Sequence, residues 1–326
     1  MNKFRYYFIL IITTLSLFSC SKDDNAIEEV PLRDFGEQYA KDNDSIEKYL
    51  NNYYIEKITD APGQPEDQDI KMTKIPVGGT QSSIMSLLNS PTFPKLLTRS
   101  IKLHEITYKI YYLVLREGVG EKPCDVDGIF ATYKGTLLNE TIFDQSFNPQ
   151  GLWVLDPSAG SGSVFVEGWR QIFPQFRTGT YTESGLGDGT LTYNDFGAGV
   201  MFLPSGLAYY GSAQGSIPAY TPLVFSFKLY ELRRYDSDND GILSYLEDIN
   251  SDGYVRTLPG GDTNPDDSDS DGIPDYQDVD DDGDGFLTRR EITVNGKLTA
   301  FDLIPDCSGN TTDPDRNKKY LDPSCH

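Results

Sequence analysis

Between Asp236 and Glu291 the chain repeats one spacing of acidic residues four times, and so dense a run of carboxylates is expected to need cations to fold. Asp236, Asp238, Asp240, Gly241, Ile242 and Glu247 stand at positions 1, 3, 5, 6, 7 and 12 of the first loop. Asp280, Asp282, Asp284, Gly285, Phe286 and Glu291 repeat the pattern in full. Asp267, Asp269, Asp271, Gly272, Ile273 and Asp278 repeat it with a shorter closing acid, and Asp248, Asn250, Asp252 and Gly253 begin a loop that lacks one. Alternate carboxylates, a glycine that permits the turn, a backbone carbonyl at position 7 and a closing carboxylate together supply the six to eight hard oxygens that calcium takes. From residue 235 onward there are 23 Asp and Glu against 7 Lys and Arg, a net charge of −16 out of −22 for the whole chain. That density repels nucleic acid and anionic lipid, which leaves metal cations or basic surfaces as its partners. Calcium is therefore expected as a structural cofactor of residues 235–295. Stripped of it, the tail should repel itself into disorder and leave the preceding domain intact.

Upstream, the pattern changes to that of a packed β-rich domain. A chain of 326 residues, 38% hydrophobic with 21 Tyr and 17 Phe, has material for two or three domains and a real core. Gly128 to Gly135 reads as a strand that enters a hairpin through Leu137, Leu138, Asn139 and Glu140 to Thr141-Ile142-Phe143-Asp144. Val200 to Leu203 is a short apolar run, and Leu223, Phe225, Phe227 and Leu229 alternate with Val224, Ser226, Lys228 and Tyr230 at the period of a strand. Trp169, Ile172, Phe173 and Phe176 fall at helical spacing, which predicts one helix with a single aromatic face. Pro174 inside it costs about 3 kcal/mol unless the helix is short or kinked. Ile106 to Leu115 predicts a strand, with Glu117-Gly118-Val119-Gly120 as its turn. With only His104 and His326 in the chain, histidine-based triads and zinc hydrolase sites are all but excluded.

At the amino terminus Lys3 and Arg5 precede the apolar run Tyr6 to Phe18, too short to span a bilayer and arranged as a secretory signal. Leu17-Phe18-Ser19-Cys20 resembles the bacterial lipobox, so Cys20 is expected to carry lipid and become the mature first residue, tethering the chain to a membrane. Ser21-Lys22-Asp23-Asp24 resembles the acidic signal of Bacteroidetes outer-membrane lipoproteins. Asp34 to Ile58 predicts a helix whose Phe35, Tyr39, Ile46, Tyr49, Leu50, Tyr53 and Tyr54 pack on the main domain. Ala61 to Asp67 is a linker, and residues 76–100, rich in Gly, Ser, Pro and Thr, carry no clear element.

Six short motifs of the β-rich region occur in the order and spacing of FKBP-type peptidyl-prolyl isomerases. They are Tyr133-Lys134-Gly135-Thr136-Leu137, Thr141-Ile142-Phe143-Asp144, Val166-Glu167-Gly168-Trp169, Pro204-Ser205-Gly206-Leu207-Ala208-Tyr209, Ile217-Pro218 and Leu223-Val224-Phe225. The resemblance covers about a third of the chain and implies an α+β fold, an antiparallel sheet wrapped on one short helix. It further implies that Trp169 floors a prolyl pocket walled by Tyr133, Phe143 and Phe225, with Trp153 as a further wall. The Val166 N–H and the Tyr209 hydroxyl would hold carbonyl oxygens, Asp144 would polarise the pocket and Ile217 would cap it. Such a pocket works without covalent chemistry. Twisting an amide meets about 18 to 20 kcal/mol because resonance is surrendered, and water favours the charge-separated planar form. A dry aromatic site that lowers the barrier by about 5.5 kcal/mol accelerates the turn by roughly four powers of ten.

Three departures accompany the resemblance. The arginine that many relatives carry after the Phe-Asp pair is absent from Gln145 to Gln150, Tyr210 competes with Tyr209 for the donor role, and Thr178 to Gly199 is an added excursion beside or over the pocket. The acidic tail resembles thrombospondin type-3 repeats more than paired EF-hand helices. Cys307 and Cys325, 18 apart, suit a disulfide worth about 3 kcal/mol in an exported chain. The expected organisation is a lipoprotein signal over 1–19, a linker and helical extension over 20–104, an isomerase domain over 105–234, calcium loops over 235–295 and a tail over 296–326. The expected function is folding assistance to proline-containing exported polypeptides at the outer membrane. The alternative is a surface lipoprotein that keeps the pocket only as a peptide or glycan contact.

Overall fold

The computed structural model describes residues 31–59, 69–160, 164, 166–185 and 187–325. The signal segment, Cys20, the linker and His326 lie outside the described residues. From Asp34 onward the chain forms a single unit. It opens with helix α1, Phe35–Asn52, capped where the Asp34 carboxylate accepts the Glu37 N–H at 2.9 Å. Gln38, Asp42, Ile46, Tyr49 and Leu50 recur at steps of four, four, three and one and make the buried face. Asp42 is buried but satisfied: it accepts the Gln38 amide at 2.7 Å and the Ser205 N–H and hydroxyl at 2.8 and 2.6 Å. That bond ties α1 to the segment leading to Tyr209.

The helix ends earlier than its periodicity predicts. Tyr53–Thr59 is strand β1, paired antiparallel with β2, Asp69–Lys74. β-branched and aromatic residues there gain more from cross-strand pairing than from another helical turn. The main sheet comprises β3 (Lys95–Leu103), β4 (Ile106–Arg116), β5 (Gly128–Leu137), β6 (Ile142–Ser146), β7 (Leu152–Val154), β10 (Gly197–Leu203) and β11 (Leu223–Arg233). Its order is β3-β4-β10-β11-β5-β6, with β7 pairing the other end of β5, and every pairing is antiparallel. The sheet therefore begins at Lys95, and the expected domain start at 105 cuts between two paired strands.

Both faces of the sheet are covered. Leu223, Phe225, Phe227 and Leu229 of β11 join one core with Trp169, Ile172, Phe173 and Phe176, while Val224 and Tyr230 join the other with Ile46, Tyr49 and Leu50 of α1. Helix α2 is only Glu167–Ile172; Phe173–Gln175 tightens into a 3₁₀ turn that accommodates Pro174. The Thr178 to Gly199 excursion contains the hairpin β8–β9, Thr180–Glu183 and Leu191–Asn194, and then enters β10. Tyr193 of this hairpin packs on Tyr230 at 4.8 Å, in the α1-side core, so the hairpin neither covers nor plugs the aromatic side.

The acidic tail is not a separate appendage. Val255, Tyr276 and Tyr245 close a small core around Cys124 and Val126 of the sheet domain. Ile242, Ile292, Ile304 and Tyr320 form another, which joins the first loop to residues beyond 296. Short element α3, Thr288–Glu291, and the hairpin β12–β13, Thr293–Val294 with Lys297–Leu298, complete the tail. Cys307 and Cys325 are bonded, with Cα atoms 5.5 Å apart. No helix among the described residues is long and apolar enough to cross a membrane.

Candidate functional site

Six segments far apart in sequence converge on a cleft of about 410 Å³. β5 brings Tyr133, β6 brings Phe143 and Asp144, β7 brings Trp153, the start of α2 brings Val166 and Trp169, the loop after β10 brings Tyr209 and Ile217, and β11 brings Phe225. All eight residues expected at the pocket line it, Trp153 included as a ninth. Val164 and Gln214 line it as well; neither carries a sequence signal, since one is a loop valine and the other a polar residue in a turn.

The rings meet edge to face, the arrangement their quadrupoles favour. Trp169 sits 5.0 Å from Tyr133, 5.4 Å from Phe225 and 6.0 Å from Trp153, and Phe143 is 5.4 Å from Phe225. Gly135 makes this possible: a Cβ there would lie 2.5 Å from the Phe143 ring and 3.1 Å from Phe225. The Trp153 indole N–H donates to the Ala131 carbonyl at 3.0 Å. The Trp169 indole N–H is buried with no acceptor among the described residues. At the rim the Tyr133 hydroxyl donates to Asp144 Oδ2 at 2.6 Å, and the Gln145 N–H holds Oδ1 at 2.8 Å. Burial, then the Asp144 bond and charge, raise the Tyr133 phenol above its ordinary range, so it stays protonated as a donor.

The two tyrosines separate cleanly. Tyr209 lines the cleft, whereas Tyr210 takes a left-handed backbone, φ 48°, and stacks on Phe35 at 4.2 Å. Val166 is the N-cap residue of α2, so its N–H precedes the helical ladder. Among the described residues of the cleft wall no arginine replaces the one missing after the Phe-Asp pair. Arg170 of α2 is buried behind the pocket instead, donating to the Leu155 and Val164 carbonyls and so fixing the loop that carries Val164.

The tail loops share one geometry. In each, the position-1 carboxylate accepts the glycine N–H at position 6: Asp236 from Gly241, Asp248 from Gly253, Asp267 from Gly272 and Asp280 from Gly285. Position 5 accepts the N–H of Ile242, Tyr254, Ile273 and Phe286 in turn. Asp267, Asp269 and Asp271 bring one oxygen each within 4.8 Å of one another, as do Asp280, Asp282 and Asp284. Asp278 does not join the first of these groups; its Oδ1 accepts the Asp280 N–H at 2.9 Å. Both Glu291 oxygens are buried without a partner among the described residues, and burial with Asp282 and Asp284 nearby pushes that carboxyl up to about 8. A group the sequence reading did not contain unites Asp238, Asp240 and Glu247 with Asp281. Crowded, dehydrated carboxylates with free oxygens are the donor chemistry of a calcium site.

One tail segment reaches the pocket helix. Arg256 makes two bonds to the Glu167 carboxylate at 3.0 and 3.1 Å, and the Tyr254 hydroxyl donates to the Gln171 carbonyl at 2.7 Å and accepts from the Gln175 amide at 2.8 Å. The Val255 N–H donates to buried Asp125 at 3.1 Å, and the Arg99 guanidinium lies over the Tyr254 ring at 3.4 Å. Burial pushes the Asp125 carboxyl up to about 7 against the pull of Arg256.

A mixed α/β fold on an antiparallel sheet, with an aromatic cleft over one short helix, is consistent with an FKBP-like architecture, and sequence similarity points the same way. Over 131 residues the chain is 29% identical to the FKBP-type peptidyl-prolyl cis-trans isomerase FkpA of Aeromonas hydrophila, covering 40% of this chain and 41% of that protein. The chain thus spans about two fifths of the length of this curated relative. Among solved structures it is similar to a peptidyl-prolyl cis-trans isomerase of Pseudomonas syringae, at 22% identity and a TM-score of 0.31, covering 48% of this chain and 99% of that one. It is also similar to FkpA from Escherichia coli, at 26% identity and a TM-score of 0.29, covering 38% and 48%. Residues 237–314 match the family model described as BamM C-terminal. The tail's match is to that family, where its spacing had suggested thrombospondin type-3 repeats.

Proposed function

We propose that the cleft isomerises Xaa-Pro bonds in exported polypeptides, and that the tail loops hold calcium. The observation that carries the first part is the convergence of Tyr133, Phe143, Asp144, Val166, Trp169, Tyr209, Ile217 and Phe225 on one cleft. A prolyl ring seated between Trp169 and the Tyr133, Phe143 and Phe225 walls leaves water, and with it the solvation that favours the planar amide. Tyr209, half-buried at the edge, offers a hydroxyl to a peptide carbonyl; burial and then Asp144 raise its phenol, which keeps the proton in place. Tyr133 is already committed to Asp144, so its part is to hold that carboxylate at the rim. No proton is transferred and no covalent bond forms, in keeping with a site that lacks histidine.

For the tail, the buried unpartnered oxygens of Glu247, Asp281, Asp282 and Glu291 support calcium as a structural cofactor. Lipid on Cys20 and an outer-membrane location are part of the same reading, the first resting on the lipobox-like Leu17-Phe18-Ser19-Cys20 and the second on the acidic Ser21-Lys22-Asp23-Asp24 that follows it. The test is a protease-coupled isomerisation assay of the full chain on a series of Xaa-Pro peptides, with Tyr209→Phe and Asp144→Asn beside the wild type. Acceleration that falls in both variants supports an isomerase. Peptide binding without acceleration supports the contact-only surface protein instead.

A further inference from the structure

We propose that the first calcium loop is closed by two acids, Glu247 from its own end and Asp281 from the last loop, so that one cation clamps residues 236–247 to residues 280–291. The proposal rests on the calcium reading above and specifies how one of its sites is built. Asp238, Asp240, Glu247 and Asp281 each place an oxygen within 4.8 Å of the others. Asp281 is 1% exposed and neither of its carboxylate oxygens has a partner among the described residues; Glu247 is likewise 1% exposed with both oxygens unpartnered there. A buried carboxylate with no donor is expensive to hold charged; Glu247 and Asp281 lack one on both oxygens, Asp238 and Asp240 each keep one oxygen free, and a cation placed between the four would neutralise them together.

The backbone explains why Asp281 points away from its own loop. Its neighbours Asp280, Asp282 and Asp284 gather separately as the last loop's own group. The Asp281 N–H donates to Thr288 Oγ1 at 3.2 Å, which fixes this residue against the start of α3 and leaves its side chain to the neighbouring loop. The equivalent bond in the first loop, Ser237 N–H to Ser244 Oγ at 3.2 Å, carries no carboxylate at position 2. The two loops also touch directly. Arg289 of the last loop donates to the Asn239 carbonyl of the first at 3.0 Å, and just past the last loop Ile292 and Leu298 close on Gly241, where a Cβ would lie 3.3 and 2.9 Å from them. The ligand is a divalent cation of calcium's size, since four carboxylates supply several oxygens and calcium accepts six to eight.

The experiment is calcium titration of the full chain by calorimetry, followed by amide hydrogen exchange, for the wild type, Asp281→Asn and, as a comparator in another loop, Asp269→Asn. Asp281→Asn should weaken one site at least tenfold and raise exchange across residues 236–247 at saturating calcium, whereas Asp269→Asn should leave those residues protected. In the wild type, protection at 236–247 and at 280–288 should rise at the same calcium step, a measurement that stands even if Asp281→Asn fails to fold. Unchanged affinity and protection in Asp281→Asn, or separate steps in the wild type, overturns the shared site while leaving the calcium loops intact. A wild type that binds no calcium overturns the calcium reading itself.

Discussion

Replacing Arg256 by Met keeps most of the apolar stem and removes two of the bonds that join the tail to the pocket helix, leaving the one from the Tyr254 hydroxyl to the Gln171 carbonyl. The Arg256 side chain is 9% exposed and that of Glu167 16%, so the pair is largely out of water. Removing one partner of a buried pair costs about 3 to 5 kcal/mol. Here Glu167 keeps Gln171 at 2.9 Å and Arg170 at 3.4 Å. Asp125, 3.7 Å from Arg256 and with its carboxyl pushed up to about 7 by burial, can take up a proton when the guanidinium is gone. Both effects bring the loss to or below the bottom of that range, about 2 to 3 kcal/mol, comparable to one or two hydrogen bonds to a charged group. With a urea slope of about 3 kcal/mol/M the midpoint falls by roughly 1 M. Urea unfolding at saturating calcium, followed by tryptophan fluorescence, reads the right place because Trp153 and Trp169 are the chain's only tryptophans and both line the cleft. A cycle with Glu167→Gln should return a coupling of about 1 to 2 kcal/mol. A midpoint shift below about 0.2 M, or no coupling, would refute the Arg256 strut.

Gly135→Ala should cost about 1 to 3 kcal/mol by overpacking and should weaken peptide binding, because the new methyl displaces the Phe143 ring; binding measured by tryptophan quenching checks it. Acid should loosen α1: bonds from Lys109 and Tyr111 lower the Glu47 carboxyl from 4.5 to about 2. A depressed folded-state value gives stability that is present above pH 4.5 and lost as the pH falls toward 2, so exchange of α1 amides should rise across that window in the wild type and not in Glu47→Gln. Chelation should open residues 236–291 to protease and, through Tyr254 and Arg256, also lower the urea midpoint of the sheet domain, contrary to the expectation that the tail unfolds alone. An unchanged cleavage pattern and midpoint in chelator would count against both.

The pocket was legible because its residues sit in short motifs whose order survives in the fold, and because β11 carries a clean period of two. What position-by-position patterning could not supply was contact between distant segments. Tyr53 to Thr59 carries the same aromatic spacing as the helix before it, and only its pairing with β2 makes it a strand. β3 hides in a stretch whose Gly, Ser and Pro content reads as loop, because its value lies in pairing with β4. The union of Asp281 with Asp238, Asp240 and Glu247 is non-local in the same way; its one trace in the sequence is the run Asp280-Asp281-Asp282, an aspartate more than a single loop needs. Arg256 reads as an ordinary tail cation until Glu167 is placed opposite it.

The central claim is that a dry ring-lined cleft turns prolyl amides, and catalysed refolding of a proline-limited protein by the full chain tests it most directly. The account predicts a faster slow phase with the wild type, sharply reduced with Tyr209→Phe or Asp144→Asn at unchanged fold by circular dichroism. A wild-type chain that binds proline peptides in the cleft yet leaves the slow phase untouched would contradict it.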